Sequence, residues 1–201
     1  MKSLKILSVT GTVNKESLSE KLNNEAVKEL MAKYPNSTLT KLDTSNSQFA
    51  NHSLTATNFA EFFKDVDSDE WINKLHDTDV LVLSTPMTNF SYTAGIKNFL
   101  DAIAVANKTF SYKYSTKGGS IGLLTNLKVV IIGTQGAPLG WYPFAGFLDT
   151  LKGIFNFFGA KQIETFLVDG NKVEPRSKQS HDEIIAEVKP ELNKILESLE
   201  I

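Results

Sequence analysis

Polar and aromatic residues follow a short apolar run near the middle of the chain, where they could hold a flat ligand. Residues 79–83 predict a buried strand, and the loop Pro86-Met87-Thr88-Asn89-Phe90 follows almost directly. Pro86 donates no backbone hydrogen bond and biases the residue before it to extended geometry, so the strand should stop there. Backbone donors, the Asn89 amide and the Phe90 ring are the groups that hold a flat heterocycle with polar edges. An ordinary strand-to-helix connection is the alternative explanation.

Hydroxyl side chains mark a loop earlier in the chain, called the first loop below, between the first apolar run and the first helical pattern. Thr10 ends that run, and Ser17-Leu18-Ser19 opens the helical pattern. Hydroxyls at Thr10, Ser17 and Ser19, with the free amides of a helix N-terminus, could enclose a phosphate. The loop is neither a Walker loop nor a G-x-G-x-x-G, which disfavours a nucleoside triphosphate or a dinucleotide pyrophosphate. A monophosphate is the better fit.

Helix capping is the alternative explanation for part of this loop. Ser17 and Glu20 have the spacing of a capping box, which explains Ser17 but not the hydroxyls of Thr10 and Ser19. Lys15 is the one cation close to the loop in sequence, and the single arginine, Arg176, lies far along the chain. A phosphate here would therefore depend on hydroxyls and on the helix dipole.

A third loop follows a run of β-branched residues. Lys128–Thr134 predicts a strand buried on both faces, and Thr134, Gln135 and Gly136 lie at its carboxyl end. Gly136 allows a ligand, or simply a turn, to approach the backbone closely. Residues 141–147 are rich in aromatic rings, which favours a role in the core or in a subunit interface. A few of them could instead form, with Phe110 and Tyr112, an apolar slot beside a bound ring system.

The elements that must position these loops alternate along the chain. Strands are predicted at 4–10, 37–42, 79–84, 128–134 and 162–168. Helical periodicity is found at 18–34, at 57–75 with a break recapped by Ser68, after Thr93, before Gly159, and at 178–199, where Pro190 should kink or break the helix. This alternation predicts an α/β fold, flavodoxin-like, with a five-stranded parallel sheet in the order 2-1-3-4-5 and helices on both faces. The three loops then converge on one edge.

One segment interrupts the alternation. Phe110, Tyr112 and Tyr114 alternate with polar residues, and Gly118-Gly119 supplies a turn. Residues 108–124 therefore predict a hairpin-like excursion outside the main sheet, before the fourth strand.

Composition narrows the class of protein. A length of 201 residues suits a single domain, 1–201, and 41% hydrophobic residues suffice for a core. The net charge of −2 supplies no basic field for nucleic acid or an anionic membrane. The chain has no cysteine, which excludes disulfides, thiolate nucleophiles and cysteine zinc sites, and its three histidines lie far apart, so no metal site is predicted. No apolar run approaches the ~20 residues of a membrane span, and we expect a cytoplasmic protein.

Taken together, these motifs resemble the FMN-dependent NADH-azoreductase family, also described as NADH:quinone oxidoreductases. The resemblance rests on S-x-S at Ser17-Leu18-Ser19, P-M-x-N-F at 86–90, and an aromatic hairpin from Thr109-Phe110 to Gly122-Leu123-Leu124-Thr125. It implies bound FMN, NADH as electron donor, a quinone or azo acceptor reduced in a ping-pong reaction, and a homodimer with the flavin at its interface. The FMN contacts that it implies are Thr10, Ser17, Leu18, Ser19, Pro86, Met87, Thr88, Asn89, Phe90, Thr134, Gln135 and Gly136, with no catalytic acid or base.

The chain departs from the family pattern at two places. Thr88 stands where the family often has an aromatic residue, and Thr134-Gln135-Gly136-Ala137 stands where it often has S-R-G-G. The second change removes an arginine near the ring edge, which bears on substrate range more than on FMN binding. A flavodoxin-type one-electron carrier without an organic substrate is the rival hypothesis. A flavin-free α/β hydrolase is disfavoured because the chain has neither a G-x-S-x-G elbow nor a cysteine.

Overall fold

The computed structural model describes residues 2–113 and 120–201. Its strands are β1 (Lys5–Thr10), β2 (Thr38–Asp43), β3 (Val80–Pro86), β4 (Phe110–Ser111), β5 (Ile121–Gly122), β6 (Lys128–Thr134) and β7 (Gln162–Val168). Its α-helices are α1 (Leu18–Lys33), α2 (Phe62–Asp65), α3 (Ser68–Asp77), α4 (Ala94–Ile103), α5 (Phe147–Phe157) and α6 (His181–Glu197). None of the helices in the described ranges has the length and apolar character needed to cross a membrane.

Five strands form one parallel sheet in the order β2-β1-β3-β6-β7, which confirms the predicted fold class and strand order. Strands β4 and β5 pair separately as a small antiparallel hairpin, as the excursion at 108–124 predicts. The predicted ring of Tyr114 and the turn at Gly118-Gly119 lie outside the described residues. In the sheet register Thr10 pairs with Ser84, and Pro86 pairs with Thr134. The carboxyl ends of β1, β3 and β6 therefore lie side by side.

Two hydrophobic cores cover the faces of the sheet. The central strands are apolar at consecutive positions, so successive side chains enter opposite cores. Val80, Val82, Val130 and Ile132 pack against α1 and α6, whereas Leu81, Leu83, Val129 and Ile131 pack against α3, α4 and α5. This burial on both faces holds the carboxyl ends of the central strands, and the loops that follow them, in place.

A buried asparagine fixes the start of α1 on the sheet. The Nδ2 of Asn23 donates to the carbonyl oxygens of Val9 at 3.3 Å and Val82 at 3.0 Å, and its Oδ1 accepts from Ser8 Oγ at 2.6 Å. Asn23 is completely buried. Because a buried amide is costly without partners, these bonds hold the helix at one height above β1 and β3. They thereby position the loop that precedes α1.

The end of β3 differs from its predicted end at residue 84. The strand continues to Pro86, because β1 ends opposite Ser84 and only β6 pairs with the last residues of β3. Pro86 has no backbone N–H to donate, and the next residue supplies the last hydrogen bond, from Met87 N to Thr134 O at 2.7 Å. The strand stops at the proline, as the missing N–H of Pro86 predicts, but two residues beyond the predicted range of 79–84.

Two helix predictions differ from the structure in detail. Pro190 does not break α6, which continues through it from His181 to Glu197, with Val188 and Leu192 on either side buried in the core with α1; the predicted kink stays a prediction. Asp67, not Ser68, is the N-cap residue of α3, and Ser68 Oγ donates to Ala102 O at 2.5 Å on the neighbouring helix. Packing outweighs the local signal in both cases.

An ion-paired lysine joins the two helices that cover the sheet beside the site. Lys189 Nζ lies 2.6 Å from Glu25 Oε1 and 2.7 Å from Glu29 Oε1. The side chain of Glu25 is only 16% exposed, and the hydrogen bond from Lys189 holds the pKa of its carboxyl below the ordinary value. The contact therefore stabilises the folded chain when Glu25 is ionised.

Replacing this lysine tests the contact and its pH dependence. We expect Lys189→Met to lower the free energy of unfolding near neutral pH, since the carboxylate of Glu25 loses its main partner. A lowered folded pKa gives stability that is present above the unfolded pKa and lost as pH falls through the folded pKa, so the difference between variant and parent should shrink on acidification. Urea unfolding at a series of pH values from neutral to acidic measures this. Lys28→Met, which removes a 3.4 Å contact of an exposed lysine with the same carboxylate, is the control and should change little.

Candidate functional site

The loop after β3 folds into a two-residue turn. Thr88 N donates to Ser91 O at 2.7 Å, and Ser91 N donates to Thr88 O at 3.2 Å. Between them Asn89 has a φ of 47° and Phe90 a φ of 71°, the left-handed pair that defines a type I′ turn. Asparagine accepts this geometry readily, whereas a bulky phenylalanine is strained in it. The turn lifts the Phe90 ring to the surface, where it is 47% exposed.

The raised ring meets the aromatic stretch that precedes α5. The ring centroid of Phe90 lies 5.2 Å from that of Tyr142 and 5.0 Å from that of Phe144. These three residues, called the aromatic platform below, join the turn after β3 to the aromatic stretch before α5 at the surface. Phe110 and Tyr112 do not contribute to it, because their rings pack against each other, and Phe110 also packs against Phe157 at the far end of α5.

The predicted hydroxyls of the first loop meet at the start of α1. Ser17 is the N-cap residue, and its Oγ accepts from Glu20 N at 3.4 Å, a long hydrogen bond. Ser17 Oγ also lies 2.9 Å from Ser19 Oγ. Within the described chain Glu20 makes no return bond to Ser17 N, so the predicted capping box is half formed. Thr10, Ser17 and Ser19 are all buried.

The first loop is fixed to its neighbours by its backbone. Gly11 N donates to Ser84 O at 2.9 Å, and a Cβ at Gly11 would lie 2.4 Å from Thr93 Oγ1. Ser45 Oγ donates to Thr12 O at 2.6 Å. Only glycine therefore allows the first loop to lie against the start of α4.

Several buried hydroxyls at this edge have no partner. The side-chain oxygens of Ser84, Thr88 and Thr93 are buried without a hydrogen bond to any residue in 2–113 or 120–201. Ser84 lies near the end of β3, Thr88 in the turn and Thr93 at the start of α4. Since an unpaired buried hydroxyl costs about 1–3 kcal/mol, such groups are typical of a site that receives a polar ligand.

Backbone donors are also available, although fewer than the sequence suggests. Met87 N is used by Thr134 O, and Thr88 N by Ser91 O. Within the described chain the N–H groups of Asn89 and Phe90 donate to no protein acceptor. Of the backbone donors predicted in this loop, these two N–H groups are therefore the ones left to bind a ligand.

A cavity of about 350 Å³ opens beside the three loops. Of the predicted site residues it is lined by Leu18, Pro86, Met87, Thr134, Gln135 and Gly136. The other predicted residues do not line it: Thr10, Ser17 and Ser19 are buried, while Thr88, Asn89 and Phe90 form the turn next to it. The loops thus converge as predicted, but their side chains fall into a cavity, a buried hydroxyl group and a surface turn.

The third loop borders a wall that the sequence analysis missed. Lys172 N donates to Gly136 O at 2.9 Å, and a Cβ at Gly136 would lie 2.7 Å from Lys172 Cγ. The far side of the cavity is lined by Asn171, Lys172, Arg176, Ser177, Gln179, His181 and Ile184. The wall could have been predicted from the strand order. This order places the end of β7 beside the end of β6, so the segment after β7 should border the third loop.

Comparison with known proteins agrees with this architecture. The model of a family described as "Flavodoxin-like fold" matches residues 4–192. This chain belongs to that family. The FMN-dependent NADH:quinone oxidoreductase of Malacoplasma penetrans is 44% identical over 171 residues, which cover 85% of this chain and 81% of the relative. Its namesake in Mycoplasmopsis pulmonis is 43% identical over 185 residues, which cover 92% of this chain and 93% of the relative.

Solved structures show the same fold at lower identity. An azoreductase from Bacillus anthracis str. Sterne superposes with a TM-score of 0.78 at 20% identity, covering 98% of this chain and 100% of that one. An FMN-dependent NADH-azoreductase from Bacillus anthracis str. Ames Ancestor, solved in complex with FMN, has a TM-score of 0.73 at 19% identity and covers 96% of this chain and 98% of that one. At about 20% identity this structural similarity supports a shared fold and no further property.

Proposed function

We propose that this protein is an FMN-dependent NADH:quinone oxidoreductase. The observation that carries the proposal is the cavity bordered by all three loops that the sequence marks as ligand-binding. Two relatives that are 43–44% identical to this chain are named FMN-dependent NADH:quinone oxidoreductase, which supports the proposal. The rival hypothesis, a one-electron carrier, gives no reason for an exposed aromatic platform beside the cavity.

The residues at this edge fit FMN. Its phosphate would be held by Thr10, Ser17 and Ser19 at the start of α1, where backbone amides and the helix dipole favour an anion. The unpartnered hydroxyls of Ser84, Thr88 and Thr93 and the free N–H groups of the turn suit a ligand that has many oxygens and ring nitrogens. The remaining contacts would come from Leu18, Pro86, Met87, Asn89, Phe90, Thr134, Gln135 and Gly136.

The protein's part in the reaction is to orient the reactants and to exclude water. FMN held by these residues would supply the chemistry for transferring a hydride equivalent from NADH to the acceptor. The aromatic platform offers exposed apolar rings, inclined to one another by 55–74°, against which a nicotinamide, a quinone or an azo compound can pack in turn. A single surface used in turn by donor and acceptor favours a ping-pong reaction. No side chain is needed as an acid or base.

A homodimer is part of the proposal. Large apolar side chains are exposed around the platform, with Leu139 74%, Trp141 61% and Phe144 71% exposed. Several large apolar side chains exposed in one short segment favour association, and a second copy of the chain would cover them and shield the flavin. The use of NADH favours a cytoplasmic location.

The spectrum and the turnover of the purified protein test the proposal. We expect a yellow protein that releases FMN on denaturation and oxidises NADH with a quinone acceptor, giving the parallel double-reciprocal lines of a ping-pong reaction. Colourless protein whose melting temperature does not rise with added FMN would contradict the cofactor assignment. Yellow protein without NADH turnover in the presence of a quinone would favour the one-electron carrier instead.

A further inference from the structure

A groove, called the helix groove below, runs between α4 and α5 on the face of the sheet that these two helices cover. Lys97, Leu100 and Ala104 line one side of it, and Thr150 and Gly153 of α5 line the other. Its volume of about 460 Å³ lies within the range of roughly 300–1,000 Å³ that is typical of small-molecule sites. At a helical rise of about 1.5 Å per residue, the groove extends for about 10 Å between Lys97 and Ala104.

The lining of the helix groove is apolar and its charges cancel. Lys97 and Asp101 are the charged side chains among the described residues that line it, and they form an ion pair with each other one helical turn apart. Leu100, Ile154 and Phe158 belong to the same lining. Because the two charges compensate each other, the groove favours a neutral apolar group over an anion or a cation.

A glycine within α5 opens the helix groove. Gly153 lines the groove, and a Cβ at this position would meet no atom of the described chain within 4 Å. Glycine is less favourable than alanine in the interior of a helix, and no contact with a described residue requires it here. Gly153 leaves the helix backbone bare towards the groove, which lets a ligand approach it closely.

One end of the helix groove lies beside the segments that carry the aromatic platform. Tyr92 lines the groove and directly follows the turn at 88–91, which raises the Phe90 ring. On the other side, Thr150 Oγ1 donates to Gly146 O at 3.1 Å, at the end of the aromatic stretch. A substrate whose ring packs on the platform can therefore extend a side chain into the groove.

Aromatic rings close the other end of the helix groove. The ring centroid of Phe110 in the hairpin lies 4.8 Å from that of Phe157 and 5.3 Å from that of Tyr112. Phe157 is 40% exposed and Tyr112 58% exposed, and both line the groove. An apolar chain in the groove would cover part of these exposed rings, which favours its binding.

We propose that the helix groove binds the aliphatic side chain of the quinone acceptor, while the quinone ring packs on the aromatic platform. The inference rests on the proposed function and narrows its substrate class to quinones that carry an alkyl or isoprenoid chain. An elongated shape, compensated charges and a bare helix backbone at Gly153 suit a narrow neutral chain. The position of the groove next to the platform favours the chain of the acceptor over an unrelated apolar ligand.

Gly153→Leu fills the helix groove and tests the inference, with Lys152→Leu as the matched control. Lys152 is the neighbouring exposed residue of α5 and does not line the groove. For each protein kcat/KM is measured with NADH and two acceptors, decylubiquinone and the same dimethoxymethylbenzoquinone ring without the chain. We expect the parent and Lys152→Leu to use the decyl quinone about tenfold more efficiently, because the chain buries methylene groups. In Gly153→Leu this preference should fall to about twofold.

A binding measurement accompanies the kinetics. Calorimetric titration of the decyl quinone into each protein without NADH should show the same loss of affinity in Gly153→Leu. Equal efficiencies for the two quinones in the parent, or a preference that survives in Gly153→Leu, would overturn the inference while turnover upholds the proposed function. A dimeric parent whose Gly153→Leu variant is monomeric on gel filtration would also overturn it, because a second copy would then occupy the groove. If neither quinone supports NADH oxidation, the proposed function fails, and calorimetry decides whether the groove binds the chain.

Discussion

Gly122→Ala is expected to lower the free energy of unfolding by about 3 kcal/mol, a large effect for the addition of one methyl group. A Cβ at Gly122 would lie 2.1 Å from Gly159 N and 2.3 Å from Gly159 Cα. Gly159 cannot retreat, because its φ of 84° and its hydrogen bond to Asn156 O at 3.0 Å fix it at the end of α5. The hairpin would have to leave the helix, and its contact there would be lost.

Urea unfolding of Gly122→Ala beside Gly153→Ala measures this effect. Gly153 lies within α5, and a Cβ there would meet no atom within 4 Å. Alanine should therefore stabilise the protein at that position by about 0.5–1 kcal/mol through the helix propensity and backbone entropy of the chain. A Gly122→Ala variant as stable as the parent would show that β5 does not contact the end of α5 in solution.

Most of the sheet could be predicted because its strands are unusually regular in sequence. β6 and β7 have the predicted bounds, since their β-branched and apolar runs are flanked by residues that end strands. The strand order followed from the alternation of strands and helices with right-handed crossovers. That order was enough to place the ends of β1, β3 and β6 together before any contact was known.

The details of the site could not be predicted, because they depend on contacts between distant residues. Asn89-Phe90 lacks the glycine that normally marks a type I′ turn, and the turn exists because Thr88 and Ser91 pair across it. Lys172 and Arg176 have no periodic pattern and enter the cavity only because the segment after β7 folds back over the third loop. Single residues whose role is set by tertiary contacts leave no local signal in the sequence.

The hydroxyl pair at the start of α1 carries the second large prediction. We expect Ser17→Ala and Ser19→Ala each to raise the dissociation constant of FMN about tenfold to a hundredfold, the loss of a hydrogen bond to a charged group of about 1.5–3 kcal/mol. Two hydroxyl protons are present, and one is shared between the two oxygens at 2.9 Å. The other has no acceptor within the described chain, so it is free to bind a phosphate.

Riboflavin, which lacks the phosphate, separates this role from helix capping. Ser17→Ala also removes a cap and should cost about 1 kcal/mol of stability, but that loss affects both ligands alike. Fluorescence titrations of the apoprotein should therefore show a large loss for FMN, a small one for riboflavin, and recovery in Ser17→Thr. Ser45→Ala, which loosens the same loop through Thr12, should weaken both ligands by one factor. If Ser17→Ala behaves like Ser45→Ala, then Ser17 acts only as a helix cap, and the phosphate binds elsewhere on this edge.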